Sequence, residues 1–482
     1  LFCRSNDGDE SSTVTSVMTN RGVSRARART DATEGVKTLL GDPKRAIWKL
    51  ALPMIAAMAI QTIYNLVDAF WVSGLGADAL AGIGFVFPFF FFAMALSNGL
   101  GVGTGSALAR RIGAQDKAGA DNVAVHTLII MVILAAGYTV PLVVFAEDIF
   151  IRIGAGTTVS MAVAYGRVVF AGSIFLFFSN VGNAILRGEG DAKRAMYAMA
   201  LGAGLNIVLD PIFIYTLGLG IAGAAWATVL SLGITSLVML NWLLFKRDTY
   251  VSFAFRDFSC DRVIVRDLFS VGLPSAAMQL SMSLTMLVLN VIIVMVDTTD
   301  GVAVYSIGWR VASMAVLPTI GIATAVVPVT GAAYGARVFS RLSIVHLYAI
   351  KIGLLLETVI AVATFVFAPQ IAAVFTQAEA AARIAPDLTL FLRIICLFYP
   401  SISFGMLSSA VFQGTGKGVN ALLVTLLRTI ILTLLLAFLF AVVFGWGLVG
   451  VWWGLVTANI VGALIGFTWV RLYLRGLVKT RS

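Results

Sequence analysis

Charge is what this sequence has least of. Only 12% of its 482 residues are Asp, Glu, Lys or Arg, against about 25% in soluble globular chains, while 59% are hydrophobic and the mean hydropathy is +0.95. That balance excludes an ordinary soluble enzyme. Cysteine is nearly absent: Cys3, Cys260 and Cys396 lack the spacing of a zinc site and the density of a disulfide framework. Two histidines, His126 and His346, are too few for a metal cluster, and neither has a paired nucleophile, so no catalytic constellation is expected. The net charge is +10. In a chain this apolar, a basic excess marks cytoplasmic loops, and no nucleic-acid partner is expected.

What is present is a series of long apolar runs. A helix needs about 20 apolar residues to cross a bilayer core, and the runs predict helices near 47–73, 79–104, 122–145, 161–186, 194–217, 220–245, 265–296, 302–330, 342–367, 384–411, 418–444 and 448–474. The runs are continuous rather than alternating, which excludes a barrel. The expected fold is an all-α polytopic membrane protein with twelve transmembrane helices. Residues 1–45, rich in Ser, Thr, Gly and Asp with the basic run Arg21, Arg25, Arg27 and Arg29, read as a disordered cytoplasmic arm and not as a cleavable signal peptide. Basic residues cluster in alternate connections, among them Arg110, Arg111, Lys117, Arg187, Lys193, Arg194, Lys246, Arg247, Arg256, Arg262, Arg337, Arg341, Lys417, Arg475 and Arg481. Asp78, Glu147, Asp148, Asp297, Asp300, Glu379 and Asp387 fall in the opposite set. The positive-inside rule then puts both termini in the cytoplasm and the chain in the cell membrane.

The sequence also repeats. Leu52-Pro53 recurs as Leu273-Pro274, Ile112-Gly113-Ala114 as Tyr334-Gly335-Ala336, Arg187-Gly188-Glu189-Gly190 as Gln413-Gly414-Thr415-Gly416, and Gly220 to Trp226 as Gly447 to Trp453. Collinear pairs imply two pseudo-symmetric six-helix bundles, 46–245 and 266–475, joined by a cytoplasmic linker at 246–265 and followed by a tail at 476–482. Two parallel halves around a cleft is transporter architecture.

Ionisable groups at membrane depth are costly and therefore informative. Asp68 and Asp210 qualify in the first half and Glu357 in the second, whereas Arg167, Arg310, Lys351, Arg393 and Arg428 read as lying nearer helix ends, where long side chains snorkel. Asn206 is one turn before Asp210, and Pro211 frees the carbonyl of Ile207 from its helical partner. Asn180, Asn183 and Thr228 are at compatible depth, as are Tyr64 and Asn65 beside Asp68, with Pro53 as a bending point of the first helix. Glu357 has no polar neighbour a turn away on its own helix, since Gly353 and Ala361 flank it there. The run Gly99 to Gly105 lacks a Walker ending and reads as close helix packing.

Four stretches together resemble the multidrug and toxic compound extrusion (MATE) transporters, in their archaeal/DinF-like branch: Tyr64-Asn65-Leu66-Val67-Asp68 with Trp71 to Gly76, Leu186 to Asp191, Gly204 to Pro211, and Gly223 to Thr228. The resemblance covers residues 46–475. It implies a V-shaped pair of bundles alternating between outward-open and inward-open states, with the branch's cation site on Asp68, Asn183, Asn206, Asp210 and Thr228, Tyr64 and Asn180 nearby, and Pro53 and Pro211 bending their helices. A bound Na+ would find its oxygen ligands on those five residues. The NorM-like branch instead uses acids in helices 7 and 10, which this chain lacks there.

The expected function is a secondary antiporter exporting amphipathic or cationic small organic compounds in exchange for H+ or Na+. No other cofactor, no partner beyond substrate and lipid bilayer, and a monomeric state are expected. The alternative is a flippase for lipid-linked saccharides, which would need a cluster of buried arginines that the sequence does not display.

Overall fold

A computed structural model of the chain describes residues 33–246, 249–253, 258–377 and 379–479. Arg21, Arg25, Arg27, Arg29, Cys3, Arg247, Arg256 and Arg481 lie outside them. Every regular element among the described residues is a helix: α1 (Glu34–Leu40), α2 (Pro43–Ser73), α3 (Ala77–Gly113), α4 (Lys117–Val144), α5 (Ala146–Arg152), α6 (Gly156–Ala171), α7 (Ser173–Gly188), α8 (Ala192–Thr216), α9 (Gly220–Phe245), α10 (Arg262–Val296), α11 (Thr299–Ala315), α12 (Leu317–Gly335), α13 (Phe339–Val366), α14 (Ala368–Phe375), α15 (Ala382–Gly414), α16 (Gly418–Val443) and α17 (Gly447–Lys479). Eleven are long and apolar enough to cross a membrane, or twelve when α6 and α7, bent by 44°, count as one span.

Three expectations need correcting. The helix expected over 302–330 is two helices meeting at Val316, because Pro318 sits in the first turn of α12 and cannot continue the helix before it. The helix expected over 161–186 is likewise broken, at Gly172. The arm expected to be disordered to residue 45 is ordered from Thr33: the Thr33 hydroxyl caps α1 by accepting from Val36 N at 3.4 Å, and Val36 and Leu39, one turn apart, are buried. Composition averaged over 45 residues hid that short amphipathic turn.

The internal repeat is written into the backbone. Gln115 and Arg337 both take φ 59°, Gly190 and Gly416 take 87° and 80°, and the pair Gly218 and Gly220 is mirrored by Gly445 and Gly447. The short helices α5 and α14 also correspond, each opening after a phenylalanine, Phe145 or Phe367.

The halves meet through α3, which packs along α10 and α12, and through α2, which packs along α12. At one end of the molecule α3 and α12 cross reciprocally: a Cβ on Gly113 would overlap the backbone of Ala332, and one on Gly335 would overlap the backbone of Arg110. Further along α3, a Cβ on Gly99 would lie 2.6 Å from Gly272 O of α10. Only glycine permits such approach, and close backbone packing is what holds helices together where lipid removes the hydrophobic drive. At the same end the Ser106 hydroxyl donates to Gln413 O at 2.5 Å, and Arg110 and Arg111 pair with Asp267 at 3.6 and 4.0 Å. One apolar core runs through both halves, from Leu50 and Leu108 to Val345 and Phe412; a second, built around Trp452, Phe391 and Tyr305, belongs to the second half.

The linker is fastened to the first half. The buried Glu189 carboxylate accepts from Tyr250 N at 2.8 Å and Val251 N at 3.1 Å, and Asp121 accepts from Ser252 N at 2.8 Å. His126 Nε2 accepts from Asp261 N at 3.0 Å, which places its proton on Nδ1, bonded to Asn122 O at 2.8 Å. Helix α1 lies over the same region: Gly35 contacts the Glu189–Gly190 backbone, and Arg341 Nη1 donates to Leu40 O at 2.9 Å. Burial pushes the Glu189 carboxyl up to about 7, against the two backbone N–H bonds that pull it down.

Two predictions follow from this face. Gly335→Val forces α3 and α12 apart, so a cysteine placed at the fully buried Ser106 in a cysteine-free background is expected to gain reactivity toward a polar maleimide; unchanged protection contradicts the crossing. For Glu189, the unfolded chain releases its proton near 4.5 and the folded chain near 7. The raised folded value favours folding at low pH, and that contribution is lost as pH rises through this window. Glu189→Gln should therefore flatten the fall in unfolding temperature between pH 5 and pH 8 relative to the unsubstituted chain. An identical fall in both would show that Glu189 does not titrate there.

Candidate functional site

Within the first half, α2 packs against α8, and their polar residues meet. Tyr64 and Asp68 are a turn apart on α2, and Asn206 and Asp210 a turn apart on α8. Asp210 is fully buried, Asn206 is 2% exposed and Asp68 is half-buried. The carboxyl groups of Asp68 and Asp210 hydrogen-bond each other. Two carboxyls in such contact hold together only when one of them carries a proton. Asn206 orients its amide to suit both neighbours: its NH2 donates to Asp210 Oδ2 at 2.8 Å, and its oxygen accepts from Thr228 N at 3.2 Å. The reverse orientation would face oxygen to carboxylate. Thr228, on α9, donates its hydroxyl to Ala224 O at 3.0 Å and hydrogen-bonds the Tyr64 hydroxyl. Five side chains from three helices thus form one network.

The helix geometry around Asp210 follows from Pro211. Beyond it α8 widens into a π turn over Ile212–Thr216, where Leu217 N reaches Ile212 O at 2.8 Å. Such widening re-aims neighbouring groups and is frequent at functional positions. Pro53, by contrast, sits inside α2 without interrupting it.

Two residues expected at the site are elsewhere. Asn183 donates to its own helix at Ser179 O, 2.9 Å away, and its amide also faces Met239, leaving its buried oxygen without a partner. Asn180 donates to Ser97 Oγ at 2.8 Å and ties α7 to α3. Tyr165 of α6 is near enough to Asp68 and Asp210 to sense both charges. No spacing rule could have found it, because it comes from a fourth helix.

The second half carries a separate polar cluster. Glu357 is fully buried and its Oε1 accepts from the Thr319 hydroxyl at 2.7 Å; Thr319 in turn lies 3.4 Å from Ser403 Oγ. These partners belong to α12 and α15. The absence of polar neighbours along α13 was therefore a poor guide, and Glu357 is not turned to solvent.

Arg428 also departs from expectation. It lies well inside α16, in a π turn over Leu427–Leu432, and is 7% exposed rather than snorkelling from a helix end. It lines a cavity of about 380 Å³ between the halves, together with Arg187 of α7.

With this geometry in place, comparisons place the chain among known proteins. The MatE family model matches residues 53–212 and 274–439, one segment in each half. The chain is 25% identical to the multidrug export protein MepA of Staphylococcus aureus (strain N315), over 87% of this chain and 92% of that protein. It is also 25% identical to an FAD transporter of Shewanella oneidensis, over 79% of this chain and 84% of that protein. Among solved structures it superposes on the outward-facing conformation of a multidrug resistance MATE family transporter of the MOP superfamily, with 49% identity, TM-score 0.90, and coverage of 93% of this chain and 99% of that one. A MOP superfamily transporter from Pyrococcus furiosus, described as having reversed polarity of its binding pocket, matches with 49% identity, TM-score 0.89, and coverage of 92% and 99%.

The Glu357 cluster supplies a test of the contrast between halves. Glu357→Gln keeps an oxygen for Thr319, so its unfolding free energy should change by less than about 1 kcal/mol, whereas Glu357→Leu strands the Thr319 and Ser403 hydroxyls and should cost about 1–3 kcal/mol. Equal stability of both variants would remove the structural role assigned to that bond.

Proposed function

The chain belongs to the MatE family of membrane transporters, and from that premise we propose that it is a secondary antiporter which exports small organic compounds in exchange for protons through Asp68 and Asp210. Fold and family make it a transporter rather than an enzyme. The observation that carries the coupling reading is the contact between the Asp68 and Asp210 carboxyl groups, which holds together only with a proton between them. Because Asn206, itself bonded to Thr228, holds Asp210 in place, changes of charge fall on the contact between α2 and α8. Adding a proton removes a charge from that contact and losing one adds repulsion, so protonation favours one packing of α2 over another. A substrate then moves the same equilibrium only by binding the two packings unequally.

Na+ fits the observed donors less well. A sodium site needs converging oxygens. Here the two carboxyls bond each other, and Asn183 turns its NH2 to Ser179 O and Met239. The same asymmetry supports assigning the chain to the archaeal/DinF-like branch, with coupling in the first half. Under this reading the basic end, with its crossed glycines, faces the cytoplasm of the cell membrane.

Substrate charge is a separate matter. The named relatives carry substrates as different as multiple drugs and FAD, and the cavity between the halves is lined by Arg187 and Arg428 without an acid. That lining does not favour the cationic substrates expected from the sequence.

The test is transport in proteoliposomes, with pH and Na+ gradients imposed separately on a panel of fluorescent amphiphiles of either charge. An inward pH gradient alone should drive export. Asp210→Asn should abolish that coupling with the fold intact, Asp68→Asn should do nearly the same, and Glu357→Gln should reduce transport far less. Export driven by Na+ alone, normal coupling in Asp210→Asn, or equal loss in Glu357→Gln would overturn the assignment.

A further inference from the structure

The cavity of about 380 Å³ between the halves is walled by α3, α7, α10, α12, α15 and α16. Its two charged residues are Arg187 and Arg428, and no Asp or Glu lines it. Neither guanidinium has a carboxylate within 4 Å among the described residues. Arg428 is 93% buried by the complement of its 7% exposure, and its Nε has no hydrogen-bond partner. The hydroxyl of Ser275, also on the cavity wall, is a second buried donor without a partner.

The fold makes room for this arrangement. A Cβ on Gly405 would lie 2.8 Å from Arg428 Nη1, and one on Gly462 would lie 2.7 Å from its Cβ and Cγ. Two glycines from two other helices thus admit a bulky cation where an alanine would crowd it. The π turn of α16 holds the residue, with its carbonyl accepting from the Thr433 hydroxyl at 2.8 Å. Uncompensated buried charge is costly, and a protein tolerates it where a ligand supplies the counter-charge. Around the two arginines the walls are apolar and adaptable, with Met278, Met282 and Met406 able to fit varied shapes.

We propose that this cavity binds amphipathic organic anions, with the phosphate or carboxylate on Arg187 and Arg428 and the apolar body against the methionines. The proposal rests on the transporter reading and names the substrate class of the cavity. Guanidinium groups suit such anions because their N–H donors match two oxygens at once. A soluble phosphate ester and a phospholipid headgroup present the same chemistry.

The test uses the full chain in phosphatidylcholine nanodiscs without any gradient, titrated with three naphthalene probes: 1-naphthyl phosphate, uncharged 1-naphthol and a naphthyl-trimethylammonium. The phosphate ester should bind at least tenfold more tightly than the other two. Arg187→Gln and Arg428→Gln should each weaken it tenfold or more while changing naphthol binding less than twofold. Arg428→Lys, which keeps the charge should the glutamine variant fail to fold, should retain most of the affinity. Adding phosphatidic acid to the nanodisc separates the sources: competition with naphthyl phosphate places the lipid headgroup in the cavity, and none leaves the soluble anion as its occupant, either result agreeing with an anion site. Equal affinity for all three probes, preference for the ammonium probe, or naphthyl phosphate binding that survives both glutamine substitutions would overturn the proposal. Asp210→Asn in the same assay keeps the two questions apart, since lost coupling with retained anion binding concerns only the proton pair.

Discussion

The structure depends on backbone-to-backbone contact between its two halves at a few glycines. Lipid offers helices almost no reason to associate, so the packing of α3 on α10 and α12 has to supply it. Gly113 and Gly335 contribute in the same way from opposite sides of the pseudo-symmetry, each lying on the backbone of the helix that carries the other. Because that end is closed by backbone, the side chains beyond it are free to line a cavity. The arginine-lined space borders the same glycine stretch, with Gly99, Gly101 and Gly105 on its wall.

The two halves share a backbone plan but not a chemistry. The first half places its carboxyls on α2 and α8 and satisfies them with Asn206, Thr228 and Tyr64. The second half buries one carboxyl, Glu357, on a different helix, with one oxygen bonded to the Thr319 hydroxyl and the other left without a partner. It also buries Arg428 in the π turn of α16, a helix whose last turns again widen at Leu439–Val443. Widened turns at Ile212–Thr216 and Asn241–Phe245 in the first half, and at these two places in the second, mark where a regular helix is interrupted without losing its span.

Much of this was legible in the chain. Apolar run length located the spans, and the repeated glycine motifs foretold turns that recur with matching dihedral angles. Asn206 and Asp210 could be drawn together because i, i+4 spacing and a proline speak directly about one helix face, whereas Asp68 and Thr228 joined them through the family resemblance. What escaped was whatever depends on a neighbour from far along the chain. Thr319 and Ser403 reach Glu357 from two other helices. Tyr165 reaches the carboxyl pair from a third. The position of Arg428 depends on Gly405 and Gly462, whose purpose is invisible until the helices are packed. Asn183 and Asn180 have the right depth but turn to Ser179 and Ser97, since depth along a helix does not fix which way a side chain points.

The fastening of the linker has a mechanical consequence. Tyr250 to Ser252 and Asp261 are bonded to Glu189, Asp121 and His126, all of the first half. The covalent connection therefore leaves that half only at the start of α10, which itself lies along α3. What looks in sequence like a tether long enough to let two bodies drift acts as a short-armed joint. Any rotation about it would keep the halves in register at one end and concentrate their displacement at the other, as a pair of tongs opens at the tips while the pivot stays still.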